Sequence, residues 1–141
     1  QAYADEKVWM TYGSWVSYPT GISCGDSVMR LELLDQNFHR EIPFIWLQPR
    51  TFYAKLFSMI PVEKFKDNDG NFFSQACDTA YMFNLLDMVG SHAYYIPEIL
   101  YVYNNETELN DHKKALGKQL YFESLIRSRA PLKKIQNWRD K

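Results

Sequence analysis

The chain has 141 residues, 46% of them hydrophobic and 16% aromatic, which is enough for one core of ordinary size. No run approaches the roughly eighteen apolar residues that a membrane-spanning helix needs. Two cysteines, Cys24 and Cys77, are too few for a disulfide framework and lack metal-type spacing, and the net charge is only −1.

Val8–Tyr12 and Trp15–Tyr18 read as strands joined at Gly13, the second ended by Pro19-Thr20-Gly21. Residues 22–41 are mixed and polar, a loop with a short helix around Val28–Leu34. A helix is expected from about Thr51, with Phe52, Leu56, Met59 and Ile60 inward and Pro61 as its stop. The stretch Asp67-Asn68-Asp69-Gly70 reads as a turn. It fails as a calcium loop, because Gly70 at the sixth position would put Phe65 first and Ala76 twelfth.

A helix following Asp78 is the clearest element. Met82, Leu85, Leu86 and Val89 fall at i, i+3, i+4 and i+7, giving one buried stripe, and Gly90 stands where a left-handed cap is wanted. Ala93–Ile96 and Ile99–Tyr103 are short strands around Pro97. From Asp111 to Arg129 the pattern is helical again, until Pro131.

Asp78 falls near the first turn of its helix, where free amides and the dipole favour a negative charge. The position suits an ordinary N-cap and equally a general base. Arg50 suits a diphosphate or an acidic acceptor, or an ion pair with one of the chain's carboxylates. Trp46 and Tyr53 are candidate rings for stacking on an acceptor, or core residues. His39 and His92 read as structural or solvent-exposed. His112, beside Asn110 and Asp111, is either a ligand for a cation or a surface histidine at a helix start.

Charge is unevenly spread. Residues 1–112 carry 15 acidic and 7 basic side chains, whereas residues 113–141 carry 9 basic and 2 acidic. This asymmetry suits an anionic lipid surface, an acidic neighbour or a solvated helix end. Nucleic acid would require one continuous basic face with exposed aromatics, and only Trp138 lies nearby.

The run CDTAYMFNLLDMVGSHAYYIPEILYVYN, from Cys77 to Asn104, resembles the acceptor-side half of inverting, family-2-type nucleotide-sugar glycosyltransferases. In that family an acidic-Asp motif leads into a helix ending in Gly. A short strand, a Pro-containing turn and a Tyr-x-Tyr strand follow. VWMTYGSWVSYPTG (residues 8–21) is similar to the strand pair after the family's metal motif, and PRTFYAKLF (residues 49–57) resembles the helix before its acceptor region. The similarity runs in order over residues 7–114. Cys77 departs from the pattern, standing where many members carry Glu or Gly.

The resemblance implies an α/β, partial GT-A-like fold, the nucleotide-diphospho-sugar transferase type, with a mixed sheet and about three main helices. Residues 1–114 would form the acceptor-side half of the domain, and 115–141 a basic helical extension. Asp78 would be the general base for an acceptor hydroxyl. Arg50, Cys77, Trp46 and Tyr53 would bind substrate, and His112 and Asn110 would approach the nucleotide or metal. A divalent cation, manganese or magnesium, would be held mainly by an upstream donor-binding half, since the sequence offers no Gly-rich phosphate loop and no Asp-x-Asp at a strand end. The implied partners are a nucleotide-sugar donor and a glycan, lipid-linked or protein acceptor. A cytoplasmic setting is expected, with peripheral contact at the inner membrane face through residues 113–141. The competing expectation is a non-catalytic module that binds a glycan or a protein.

Overall fold

The computed structural model describes residues 1–25, 31–108 and 116–138. Its class is α/β, built on two small three-stranded sheets. Strands β1 (Met10–Gly13) and β2 (Trp15–Tyr18) follow one another with only Ser14 between them, yet each belongs to a different sheet. In the first sheet β1 lies between β4 (Leu47–Phe52), antiparallel, and β5 (Ala93–Tyr95), parallel. In the second, β2 lies between β3 (Ser23–Cys24), antiparallel, and β6 (Val102–Asn104), parallel. A parallel pair needs a crossover, and the chain between β1 and β5 provides it.

Gly13 explains the break between the sheets. A Cβ there would lie 2.9 Å from Pro49 Cδ and 3.1 Å from the Gln48 carbonyl oxygen. The backbones of β1 and β4 pass too closely for any side chain, and the pairing register slips between Thr11 and Gly13. The sheet expected from sequence as one mixed layer is therefore divided at this point.

A second expectation is also corrected. Residues 47–52 form β4, and the helix expected from Thr51 is confined to α2 (Ala54–Ser58). Thr51 is held in the sheet by pairing with Thr11, whose Oγ1 lies 2.6 Å from its own. The remaining α-helices among the described residues are α1 (Leu31–Asp35), α3 (Cys77–Val89) and α4 (Leu116–Ser128).

Helix α3 is buried nearly all round. Besides the expected Met82, Leu85, Leu86 and Val89, it buries Thr79, Ala80, Phe83, Asn84, Asp87 and Met88. A helix covered on all sides carries no single apolar stripe, and here the cover comes from the chain's own C-terminal part. The Ile135 amide donates to the Met88 carbonyl at 3.0 Å, and the Leu132 amide donates to Asp87 Oδ2 at 2.9 Å. Trp138 is buried against Tyr53 and Trp9, with ring centroids 4.3 and 6.4 Å away. The segment expected as an appended extension thus forms one wall of the core.

Asp87 joins these layers. Its fully buried carboxylate accepts from His39 Nε2 at 2.8 Å, Arg40 Nε at 2.9 Å, Arg40 Nη2 at 2.5 Å and the Leu132 amide. Arg40 Nη1 donates onward to the Ile126 carbonyl of α4 at 2.8 Å. Burial works against the charged carboxylate, but the His39 and Arg40 hydrogen bonds, the Arg40 charge and the Leu132 amide outweigh it. Asp87 is held below its ordinary value as a result.

Candidate functional site

The structure brings Asp78 and Arg50 together. Arg50 reaches from edge strand β4 to the first turn of α3, where its Nη1 donates to Asp78 Oδ2 at 3.1 Å and to the Tyr81 hydroxyl at 3.0 Å. Its guanidinium lies 5.2 Å from the Phe44 ring centroid and 6.0 Å from that of Tyr81. The Arg50 side chain is only 5% exposed and its Nε is buried without a hydrogen-bond partner. Removing the carboxylate would leave this desolvated guanidinium without its charge partner.

Asp78 is the open member of the pair, with 49% of its side chain exposed. Oδ1 accepts the Thr79 amide at 2.9 Å. The N-cap is Ala76, with φ 57°, and not Asp78, which falls in the first turn. Asp78 is therefore a first-turn residue bonded to the next amide. Each of its oxygens keeps a lone-pair direction for a further donor.

The other candidates are dispersed. Cys77 exposes its thiol beside Asp78, with Sγ 3.1 Å from the Phe73 carbonyl, and no disulfide joins it to Cys24. Trp46 is corrected from a stacking ring to a core residue. It is 0% exposed and packs edge-on to Phe83, with centroids 5.9 Å apart. Tyr53 is half-buried between Tyr3 and Trp138 and adds no contact to the Arg50–Asp78 pair. His112 and Asn110 lie outside the described residues. His39 is buried in the Asp87 cluster, and His92 stacks on Trp9 at 3.6 Å while its Nδ1 bonds the Lys7 carbonyl. The Asp67–Gly70 stretch is a turn, with the Asp69 and Asn71 amides both donating to Asp67 Oδ1 at 2.9 Å. Among the described residues no three His, Cys, Asp or Glu side chains converge as a metal site.

Tyr81 and Phe44 escaped the reading of the sequence. Tyr81 had a usable signal, since Asp78 and Tyr81 are three apart and share a helix face. Phe44 had none, because its contact with Arg50 is made across the fold.

Among the described basic residues near the C-terminus, three are engaged with the rest of the fold. Arg127 pairs with Glu123 and donates to the carbonyls of Arg40 and Ile42; Arg129 donates to the Glu63 carbonyl and covers the Phe73 ring; Lys134 pairs with Asp35. Among the described residues no helix is long and apolar enough to cross a membrane.

Two larger cavities among the described residues lie elsewhere. One of about 540 Å³ opens beside β5 among Val8, Tyr12, His92, Tyr95 and Pro97, and another of about 570 Å³ adjoins it at Ala2, Tyr94, Ile96 and Leu100. Neither includes Asp78. A smaller apolar one, about 190 Å³, lies beside Cys77. No family model, curated protein or solved structure matches the chain.

Proposed function

We propose that this chain is the acceptor-side part of an inverting glycosyltransferase, with Asp78 as general base. The observation that carries the reading is a half-exposed carboxylate at the start of α3, fixed by a buried arginine from strand β4. Among the described residues β4 is an edge of its sheet, so an upstream donor-binding half has backbone to pair with next to Asp78. The resemblance over residues 7–114 supports the same assignment.

In this reading an acceptor hydroxyl donates to the open side of Asp78. The carboxylate takes its proton as the oxygen attacks the anomeric carbon. Arg50 keeps the carboxylate from rotating away, and Tyr81 fixes Arg50. A single displacement inverts configuration and needs one base. Hydrolysis of a glycoside would need two facing carboxylates, and Asp87, the other carboxylate of α3, is fully buried and bound by four donors. This chain's own step in the reading is the proton taken at Asp78.

The test compares nucleotide-sugar turnover with manganese for the full-length protein and its Asp78→Asn variant. Loss of a positioned base lowers kcat by about 10²–10⁴-fold, with the folded fraction unchanged. Equal turnover in the two proteins overturns the assignment. A protein inactive in both forms that still binds oligosaccharide favours the alternative, a non-catalytic binding module. The exposed Ile99, Leu100 and Val102, of which Leu100 lines the second β5 cavity, are the observation on that side.

A further inference from the structure

Arg50 is nearly sealed from water, yet its donors are poorly satisfied. Both of its hydrogen bonds leave from Nη1, one to Asp78 and one to the Tyr81 hydroxyl. Nε is buried without a partner, and Nη2 bonds no described residue. The contact with Asp78 is single and, at 3.1 Å, longer than the roughly 2.7–2.9 Å of a good charge-assisted bond. A two-pronged pair would engage both carboxylate oxygens, but Oδ1 is committed to the Thr79 amide. The Phe44 and Tyr81 rings replace part of the lost hydration and offer no lone pair to Nη2. Nη2 is not among the sealed atoms, and it shares its carbon with Nη1, so it lies beside the half-exposed Asp78. Ala76 gives α3 no side-chain cap, and the helix's positive end adds to the field at the same place.

We infer that the acceptor is acidic: a carboxylate on the sugar binds Arg50 Nη2 while a neighbouring hydroxyl of the same sugar meets Asp78. The inference rests on the proposed function for the hydroxyl, and on the unfilled guanidinium alone for the anion. A desolvated cation with open N–H groups is matched by an oxyanion, whose hydrogen bonds to it are the strong ones. A neutral sugar leaves it only a neutral partner. The acceptor's carboxylate and Asp78 share one guanidinium through different nitrogens, and water on the open side of Asp78 screens their repulsion. With its carboxylate held, the acceptor presents the adjacent hydroxyl to the base in a fixed orientation. Arg50 is then the residue that sets acceptor specificity, besides holding Asp78.

The test is a titration of the protein with methyl glucuronide and methyl galacturonide, each beside the matching neutral glucoside or galactoside. Amide and arginine side-chain chemical shifts supply the readout. At least one uronide should shift the Arg50 guanidinium and Asp78 signals and bind about ten-fold or more tightly than its neutral counterpart. Arg50→Lys keeps a point charge without the planar fork and should remove most of that preference. If Arg50→Lys fails to fold, the wild-type comparison decides alone. Asp78→Asn should keep the preference, because it removes a like charge and leaves Nη2 in place. Equal binding of acidic and neutral glycosides, no binding of any, or loss of the preference in Asp78→Asn overturns the acidic acceptor. So does a shift of the Arg50 signals by uridine diphosphate and by no uronide, which assigns the nitrogen to the donor. Binding requires no turnover, so the acidic acceptor can fail while Asp78 stands as base. Full turnover by Asp78→Asn would remove the base and leave the uronide preference standing.

Discussion

Replacing Asp87 by Asn changes one atom at the point where α3, the Phe38–Arg40 turn, α4 and the 131–138 segment meet. The carboxylate receives four donors on two oxygens, and an asparagine keeps only one oxygen. Its amide nitrogen must then face a donor from Arg40, from His39 or from Leu132. Arg40, 9% exposed, is left with its charge uncompensated, keeping one hydrogen bond to the asparagine oxygen and one to the Ile126 carbonyl. Breaking a buried pair in this way costs about 3–5 kcal/mol, a large part of the roughly 5–15 kcal/mol that holds a domain folded. In a chain of this size the midpoint of thermal unfolding should fall by on the order of 10 °C.

Urea unfolding against pH supplies the decisive comparison. The folded-state pKa of Asp87 lies below the ordinary carboxylate value, so its contribution is complete above that ordinary value and disappears as pH falls through the folded one. Wild type should lose stability steeply below about pH 4, and Asp87→Asn should lack that part of the slope. Asp35 titrates in the same window in both proteins, with burial opposed by Lys134 and Ser91, and therefore cancels in the difference. A variant within about 1 kcal/mol of wild type, with a parallel pH profile, would refute the hub.

Two further substitutions examine the frame around α3. Gly90 has φ +53°, and a Cβ there would run into Asp35 Oδ1, so Gly90→Ala should cost about 1–3 kcal/mol in denaturant unfolding. A loss under about 0.5 kcal/mol would show that the turn relaxes freely. Trp138→Ala removes the ring packed on Tyr53 and Trp9, and should cost about 3 kcal/mol while speeding hydrogen exchange at the Ile135 amide. Unchanged exchange there would mean that residues 131–138 hold without the tryptophan.

Local signals made several elements readable without coordinates. The α3 helix followed from apolar spacing with Gly90 as its end, the Asp67–Gly70 turn from its Asp, Asn and Gly residues, and the two strands around Gly13 from β-rich runs bounded by breakers. Asp78 and Arg50 were both marked by their charge and by their places at the ends of elements. Their pairing was one of the two readings open for Arg50, and the choice between them depended on β4 passing beside the first turn of α3. The helix expected from Thr51 failed because pairing with Thr11 outweighs a weak local preference.

What the sequence determined by itself is what depends on neighbours within a few residues: which segments coil, where they stop, and which residues carry chemistry. Only tertiary structure decided what those residues face. Trp46 became core instead of a binding ring, the basic C-terminal segment became a wall over α3, and Asp87 became the anchor of four segments. Burial and partner choice are properties of segments far apart in sequence, such as Arg40 and Ile126, and no local pattern records which of them meet.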